Sequence, residues 1–366
     1  MRIASKRHTA VAMAATATLV VSACGGQGSA DVDAETLNAM SVEELAEAAK
    51  GEEVYWLTTM YPTETAQKVA DAFTAKYPGI TVQVDRKTAN ENWQTLRTSK
   101  SVNNAEADVF SSTQVFFYDM AKEAGYVDCY LPESAKDLDK KYLDPNGCWF
   151  AARESVFTLA YNTDKVDPAD VPKSYLDLAD PKWRGKIGML DPALSNNAFS
   201  AYFTMSRKIG NGDLDATKDY WQKVGANKPV LYKEGGALIN AVASGEVAVA
   251  WVFDYRAWEL KDSGAPVALA TPKEGVVSNS DFTALVSDTD APHAARLFMH
   301  FLASNEAMQI GAKDAYYYGL RDDIPVYPKD RPPLRELDVV APDWDDQEKN
   351  HDKFLNLWNE AVKGRG

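Results

Sequence analysis

Short apolar runs alternate with amphipathic stretches along most of this 366-residue chain. Residues 54–58 (VYWLT) form a compact apolar run that predicts a buried strand. Residues 63–76 follow with Val69, Ala70, Ala72 and Phe73 on one face of a helix. Pro78-Gly79 ends it, and residues 80–84 alternate as a strand does. Strand, helix, strand is the opening unit of an open α/β sheet. Upstream, residues 35–50 have helical spacing, with Ser41 and Glu44 set three apart as a capping box.

The alternation continues to the C-terminus. Helices are expected at 93–100, 115–124, 199–209, 216–224, 238–244, 292–303 and 306–312, with Gly245 stopping the fifth. Strands are expected at 107–110 (ADVF), 155–161 (SVFTLAY), 187–190, 247–253 (VAVAWVF) and 267–270. A short helical turn spans 175–179, and Trp344, Phe354 and Trp358 punctuate a region that ends in a helix. There is no internal repeat.

Composition narrows the function classes. At roughly 100–200 residues per domain, the length suggests two domains. The formal net charge of −14 disfavours a partner built of phosphate backbone, so no nucleic acid is expected. Four His and three Cys leave little material for a zinc or iron–sulfur cofactor, and none is expected. The chain has no G-x-S-x-G elbow, no H-E-x-x-H and no G-x-x-x-x-G-K-[ST], and so few His that a triad has little to draw on. An enzyme is therefore not expected.

The N-terminus reads as an address. Arg2, Lys6 and Arg7 precede an apolar stretch from 10 to 21, and Ser22-Ala23 precede Cys24. The apolar run is too short and too rich in Ala and Thr for a transmembrane span of about 20 residues. Val21-Ser22-Ala23-Cys24 resembles a bacterial lipobox, in which cleavage before the Cys frees it for lipidation. The polar, Gly-rich stretch after Cys24 suits a flexible tether. Removing residues 1–23 removes three cations and no acids, which leaves a net charge of −17. Cys129 and Cys148 remain, 19 positions apart, and in an exported chain they are a reasonable disulfide pair.

Several of these pieces, in this order, resemble a solute-binding lipoprotein of a bacterial ABC importer. The similarity is to the group that includes ferric-ion, phosphonate and sugar-phosphate binding proteins. It rests on the opening strand with its polar loop, then Lys76-Tyr77-Pro78-Gly79-Ile80, then Ala107-Asp108-Val109-Phe110-Ser111-Ser112. Tyr161-Asn162-Thr163-Asp164 and Trp183-Arg184-Gly185-Lys186-Ile187, with Asp191-Pro192, follow. Gly245-Glu246, the strand 247–253, Asp254-Tyr255 and the helix PHAARLFMHFLAS complete it. The resemblance implies an α/β, two-lobed type II periplasmic-binding-protein fold closing on its ligand by hinge motion. The expected division is 1–23 signal peptide, 24–50 lipidated Cys, tether and N-terminal helix, 51–157 plus 271–366 first lobe, and 158–270 second lobe. The implied partners are a small solute, an ABC permease with its ATPase, and a membrane reached only through the lipid. A monomer is expected.

Ligands of open α/β sheets sit beyond the carboxyl ends of strands, where loops lead into helices. Helix N-termini there offer free N–H groups and partial positive charge. Four segments meet this description: Thr58-Thr59 with Tyr61, Ser111-Ser112-Thr113, Ser195-Asn196-Asn197, and Asp254-Tyr255-Arg256. A buried carboxylate costs several kcal/mol unless paired, so Asp254 is either a ligand contact or half of a structural pair. The Tyr316-Tyr317-Tyr318 run is a further candidate border of the cleft, whereas Trp251 belongs in the core.

The solute is expected to be a small organic or phosphorylated anion. Ferric-ion members of the group use adjacent tyrosines at the fourth segment, but here Arg256 follows Tyr255, and a fixed cation repels a metal ion. No His lies near the first loop. Ferric ion remains an alternative, as does a cationic polyamine- or thiamine-like solute that would use Asp254 and the tyrosines. Outside transport, the alternative is a surface interaction lipoprotein.

Overall fold

A computed structural model of the chain describes residues 33–101 and 107–364. The signal segment, Cys24 and the tether lie outside the described residues. In chain order the first part is α1 (Ala34–Ala39), α2 (Val42–Ala48), β1 (Glu53–Thr58), α3 (Thr63–Lys76), β2 (Thr81–Arg86), α4 (Ala89–Ser101), β3 (Val109–Ser112), α5 (Val115–Glu123) and β4 (Val127–Asp128). Next come β5 (Phe150–Asn162), β6 (Ile187–Leu190), α6 (Asn196–Ile209), α7 (Lys218–Ala226), β7 (Val230–Tyr232), α8 (Gly235–Ser244), β8 (Val249–Phe253), α9 (Asp254–Asp262) and β9 (Val267–Ala270). The chain ends with β10 (Val276–Val286), α10 (Pro292–Leu302), α11 (Asn305–Ala315), β11 (Val339–Val340) and α12 (Trp344–Trp358).

Local chemistry accounts for many boundaries. The Ser41–Glu44 capping box forms, but it starts α2 and splits the expected helix in two. Gly245 ends α8 in the left-handed conformation, where a side chain would be strained. Gly311 is required for a different reason. A Cβ there would lie 2.4 Å from the ring of Tyr61, so only glycine lets α11 approach that ring.

The strands form one sheet in the order β2-β1-β3-β10-β5-β8-β6-β7, with β4 and β11 pairing β10 and β9 pairing β5. β2-β1-β3 are parallel to one another, and so are β7-β6-β8; β5 and β10 run antiparallel between the two groups. This is the type II periplasmic-binding-protein fold. One apolar core collects Trp56, Phe73, Phe110 and Phe298 around the first group. A second collects Tyr202, Trp221, Trp251 and Phe354 around the other. Truncating a ring such as Trp251, stacked on Tyr175 with centroids 4.1 Å apart, would cost about 3–5 kcal/mol.

Several observations differ from expectation. β10 was not anticipated at all, and β5 begins five residues before the predicted strand. Both strands run through the two cores: Phe150–Ala152 pack in the first and Phe157, Leu159 and Ala160 in the second. The C-terminal helix, grouped above with the first lobe, packs in the second core through Phe354, Leu357 and Trp358, because its apolar face meets α6 and α7. Cys129 and Cys148 are joined in a disulfide beside the first core.

Between the cores the sheet has a polar seam. Arg153 lies opposite Asp281, Glu154 opposite Ser280 and Ser155 opposite Asn279, next to a bulge at Asp281/Phe282. Glu154 accepts from Ser278 Oγ at 2.7 Å, Ser280 Oγ at 2.6 Å, and the backbone N–H groups of Ser155 and Asn279. Burial nonetheless pushes its carboxyl above the usual range.

Candidate functional site

The carboxyl ends of both parallel strand groups open on one cavity of about 460 Å³. That is within the size range of small-molecule sites. From the first core come Thr59 after β1, Arg86 at the end of β2 with Lys87 after it, and Thr113-Gln114 after β3. From the second come Ser195-Asn196-Asn197 after β6, Lys233 to Gly236 after β7, and Tyr255-Arg256 after β8. Arg153 and Asn279 from the crossing strands, and Tyr317, complete the wall. The first turns of α4, α6, α8 and α9 all contribute residues to it. The start of α8 has no side-chain cap, so its N–H groups are open to a ligand.

The wall is cationic although the chain is acidic. Arg86, Lys87, Arg153, Lys233 and Arg256 line it, against the single carboxylate of Glu234. Three of the five cations have carboxylate partners: Lys87 with Asp85 at 2.6 Å, Arg153 with Asp281 at 2.8 Å, and Arg256 with Glu259 at 2.9 Å; Arg86 Nε donates to the Tyr61 carbonyl at 3.2 Å. Among the described residues, no carboxylate lies within salt-bridge distance of Arg86 or Lys233. Neither is neutralised by a direct ion pair, and the positive charge they bring to the wall attracts an anion.

Two tyrosines form an aromatic wall. Tyr255 stacks on Tyr317 with centroids 4.4 Å apart, and the Arg153 guanidinium lies 4.0 Å from the Tyr317 ring centre. Burial, with Tyr255 alongside, raises the Tyr317 phenol well above its ordinary value. It stays protonated and can donate a hydrogen bond.

The residues singled out from sequence divide into two sets. Thr59, Thr113, Ser195, Asn196, Asn197, Tyr255 and Arg256 line the cavity together. Thr58, Tyr61, Ser111, Ser112 and Asp254 sit behind the wall, buried, with partners in the protein. Thr58 Oγ1 accepts from the Met60 N–H, Ser111 Oγ accepts from Trp56 Nε1, and Ser112 Oγ accepts from the Gln114 N–H. Tyr61 packs edge-on against Tyr317. Asp254 takes the structural alternative: it pairs with buried Arg331 and accepts from the Val156 N–H at 3.0 Å. Of the tyrosine run, Tyr317 reaches the cavity, while Tyr318 packs under Arg331.

Sequence reasoning missed Arg86, Lys87, Arg153, Lys233, Gln114 and Asn279. The available signal was positional. Arg86-Lys87 and Lys233 each sit at the carboxyl end of a strand and precede a helix, the same context that marked the hydroxyl-rich loops.

Two groups of parallel strands, joined by crossing strands and facing each other across a cavity, define a solute-binding protein. Residues 104–350 match the family described as bacterial extracellular solute-binding protein, and the chain belongs to that family. A curated relative, iron uptake protein A2 of Synechocystis sp., is 27% identical over 246 residues, which is 62% of this chain and 68% of the relative. Iron-bound HitA from Pseudomonas aeruginosa superposes with a TM-score of 0.71 at 22% identity, over 84% of this chain and 99% of HitA. AfuA from Actinobacillus pleuropneumoniae with bound fructose-6-phosphate gives a TM-score of 0.72 at 22% identity, over 85% of this chain and 99% of AfuA. This protein is the extracellular solute-binding component of an ABC importer, and its homologues are binding proteins rather than enzymes.

Proposed function

We propose that this protein captures a small organic or phosphorylated anion between two lobes and hands it, unchanged, to its permease and ATPase. The carrying observation is the excess of cations in the cavity lining, five against the one carboxylate of Glu234, with Arg86 and Lys233 on opposite sides and neither held in a salt bridge among the described residues. Arg86 and Arg153 approach from the first core, Lys233 from the loop after β7 and Arg256 from the first turn of α9 on the second-core side. Closing on the solute removes it from water and brings both sets of donors to bear. In this reading residues 1–23 are an export signal, Cys24 carries the lipid, and the protein acts as a monomer.

A ferric reading has one specific support, the Tyr255–Tyr317 stack, together with the name of the Synechocystis relative. Iron is then the cargo, and both phenols must lose their protons to hold it. The cationic lining favours delivery as an anionic chelate.

Native mass spectrometry of the purified protein, with metal analysis, separates the readings. The anion reading expects a co-purified or added phosphorylated compound at one per chain and no stoichiometric iron. It also expects a ligand-dependent rise in melting temperature, since occupancy at 100 times the dissociation constant adds about 2.7 kcal/mol. Stoichiometric iron with visible tyrosinate absorption would replace it by the ferric reading. No stabilisation by either would favour a surface interaction lipoprotein.

A further inference from the structure

Three side-chain hydrogen bonds join the two sides of the cavity. Thr113 Oγ1 donates to Asn197 Oδ1 at 3.0 Å, and Gln114 Nε2 donates to the same oxygen at 2.7 Å. Asn196 Nδ2 donates to Asn90 Oδ1 at 3.0 Å. Thr113 and Gln114 sit on the first-core side, between β3 and α5, and Asn90 is in the first turn of α4. Asn196 and Asn197 open α6 on the second-core side.

Asn197 has no local duty that would explain it. The cap of α6 is Ser195, whose Oγ accepts from the Ala198 N–H at 3.3 Å. Thr113 and Gln114 are 4% and 3% exposed, so water is a poor substitute acceptor for their donors. Each contact is made between protein side chains, so it contributes whether or not solute is present. Among the described residues no hydrogen bond engages Asn197 Nδ2, and Asn197 lines the cavity.

We propose that Asn197 is a positioning residue that clasps the two sides of the cleft: its Oδ1 holds Thr113 and Gln114, and its Nδ2 is left to donate to the solute. Closure and recognition therefore meet at one amide. The clasp raises the fraction of protein already closed, and apparent affinity scales with that fraction. The Asn90–Asn196 bond, between more exposed partners, is the weaker second point of contact.

The affinity arm of the test rests on the anion reading given above; the shape arm does not. Small-angle X-ray scattering on the exported chain, disulfide intact, in phosphate-free buffer compares wild type with Asn197→Ala, Asn197→Asp and Gln114→Ala. The clasp expects a larger radius of gyration for Asn197→Ala, an intermediate one for Gln114→Ala, and a wild-type value for Asn197→Asp, which keeps the acceptor oxygen. Calorimetry with inorganic phosphate expects about tenfold weaker binding for Asn197→Ala. It expects weakening without opening for Asn197→Asp, whose added charge repels the anion. Near-ultraviolet circular dichroism checks that each variant is folded; should Asn197→Ala misfold, Gln114→Ala carries the comparison. Equal radii for wild type, Asn197→Ala and Gln114→Ala overturn the clasp. If wild type fails to bind phosphate, the anion reading loses its support while the radii still decide the clasp.

Discussion

Arg153 and Asp281 face each other across neighbouring strands, their guanidinium and carboxylate 2.8 Å apart and both almost wholly buried. The arginine is a cavity wall, a ring partner for Tyr317 and a donor to the Met60 carbonyl at 2.7 Å. The pair thus pins the strands that cross between the cores at the point where the solute cavity rests on them.

Breaking that pair from one side should be expensive. Arg153→Ala leaves Asp281 buried without its cation, with Oδ1 already lacking a partner, and should lower stability by about 3–5 kcal/mol. Urea unfolding measures this. The double variant Arg153→Met with Asp281→Leu should regain stability but not solute binding. An unchanged midpoint in Arg153→Ala would show that the pair does not hold the strands.

Tyr255→Ala removes half of the aromatic wall, a partly buried ring at the edge of the first core. Solute affinity should fall by about tenfold or more, consistent with an aromatic contact worth ~0.5–1.5 kcal/mol beyond its buried area. The melting temperature should stay close to wild type. Calorimetry with the co-purified solute reads the first quantity, and scanning calorimetry the second.

Glu154 predicts a pH dependence. Burial raises its carboxyl above the ordinary value of 4.5. Between that value and its raised one, the folded protein keeps a proton that the unfolded chain releases. Its contribution is full below 4.5 and declines as pH rises towards the folded value. Glu154→Gln should flatten this part of the stability curve, measured as melting temperature against pH. A parallel curve in the variant would mean that Glu154 is ionised throughout.

Cys24→Ser should release the protein from cell membranes without changing solute affinity. Fractionation followed by immunoblotting checks it, and retention in the membrane fraction would count against a lipid anchor.

Much of the fold was legible because its elements obey simple periods. α3 and β6 fall on their predicted residues, since each is an uninterrupted amphipathic or apolar stretch bounded by Pro, Gly or charge. β10 was hidden by its own centre. Ser278 to Asp281 reads as a loop, yet these residues form the polar seam and find their partners in Arg153 and Glu154, over 100 positions away. The same pair hid the start of β5. A polar run is legible as a strand only when its distant partner is known. In the site, hydroxyl-rich loops gave Thr113 and the segment 195–197. They also gave Ser111 and Ser112, because a hydroxyl that serves Trp56 or a turn looks identical in sequence to one that serves a ligand.

The contrast between an acidic chain and a cationic cavity has a kinetic consequence. An arriving anion first meets the net negative field of the surface and only later the short-range pull of Arg86 and Lys233. Added salt shortens the reach of the outer field, from about 30 Å at 0.01 M to about 8 Å at 0.15 M, while contacts inside the cavity are screened less. Capture should therefore quicken with moderate salt while release changes little. Electrostatically steered encounters show the opposite order, slowing as salt is added.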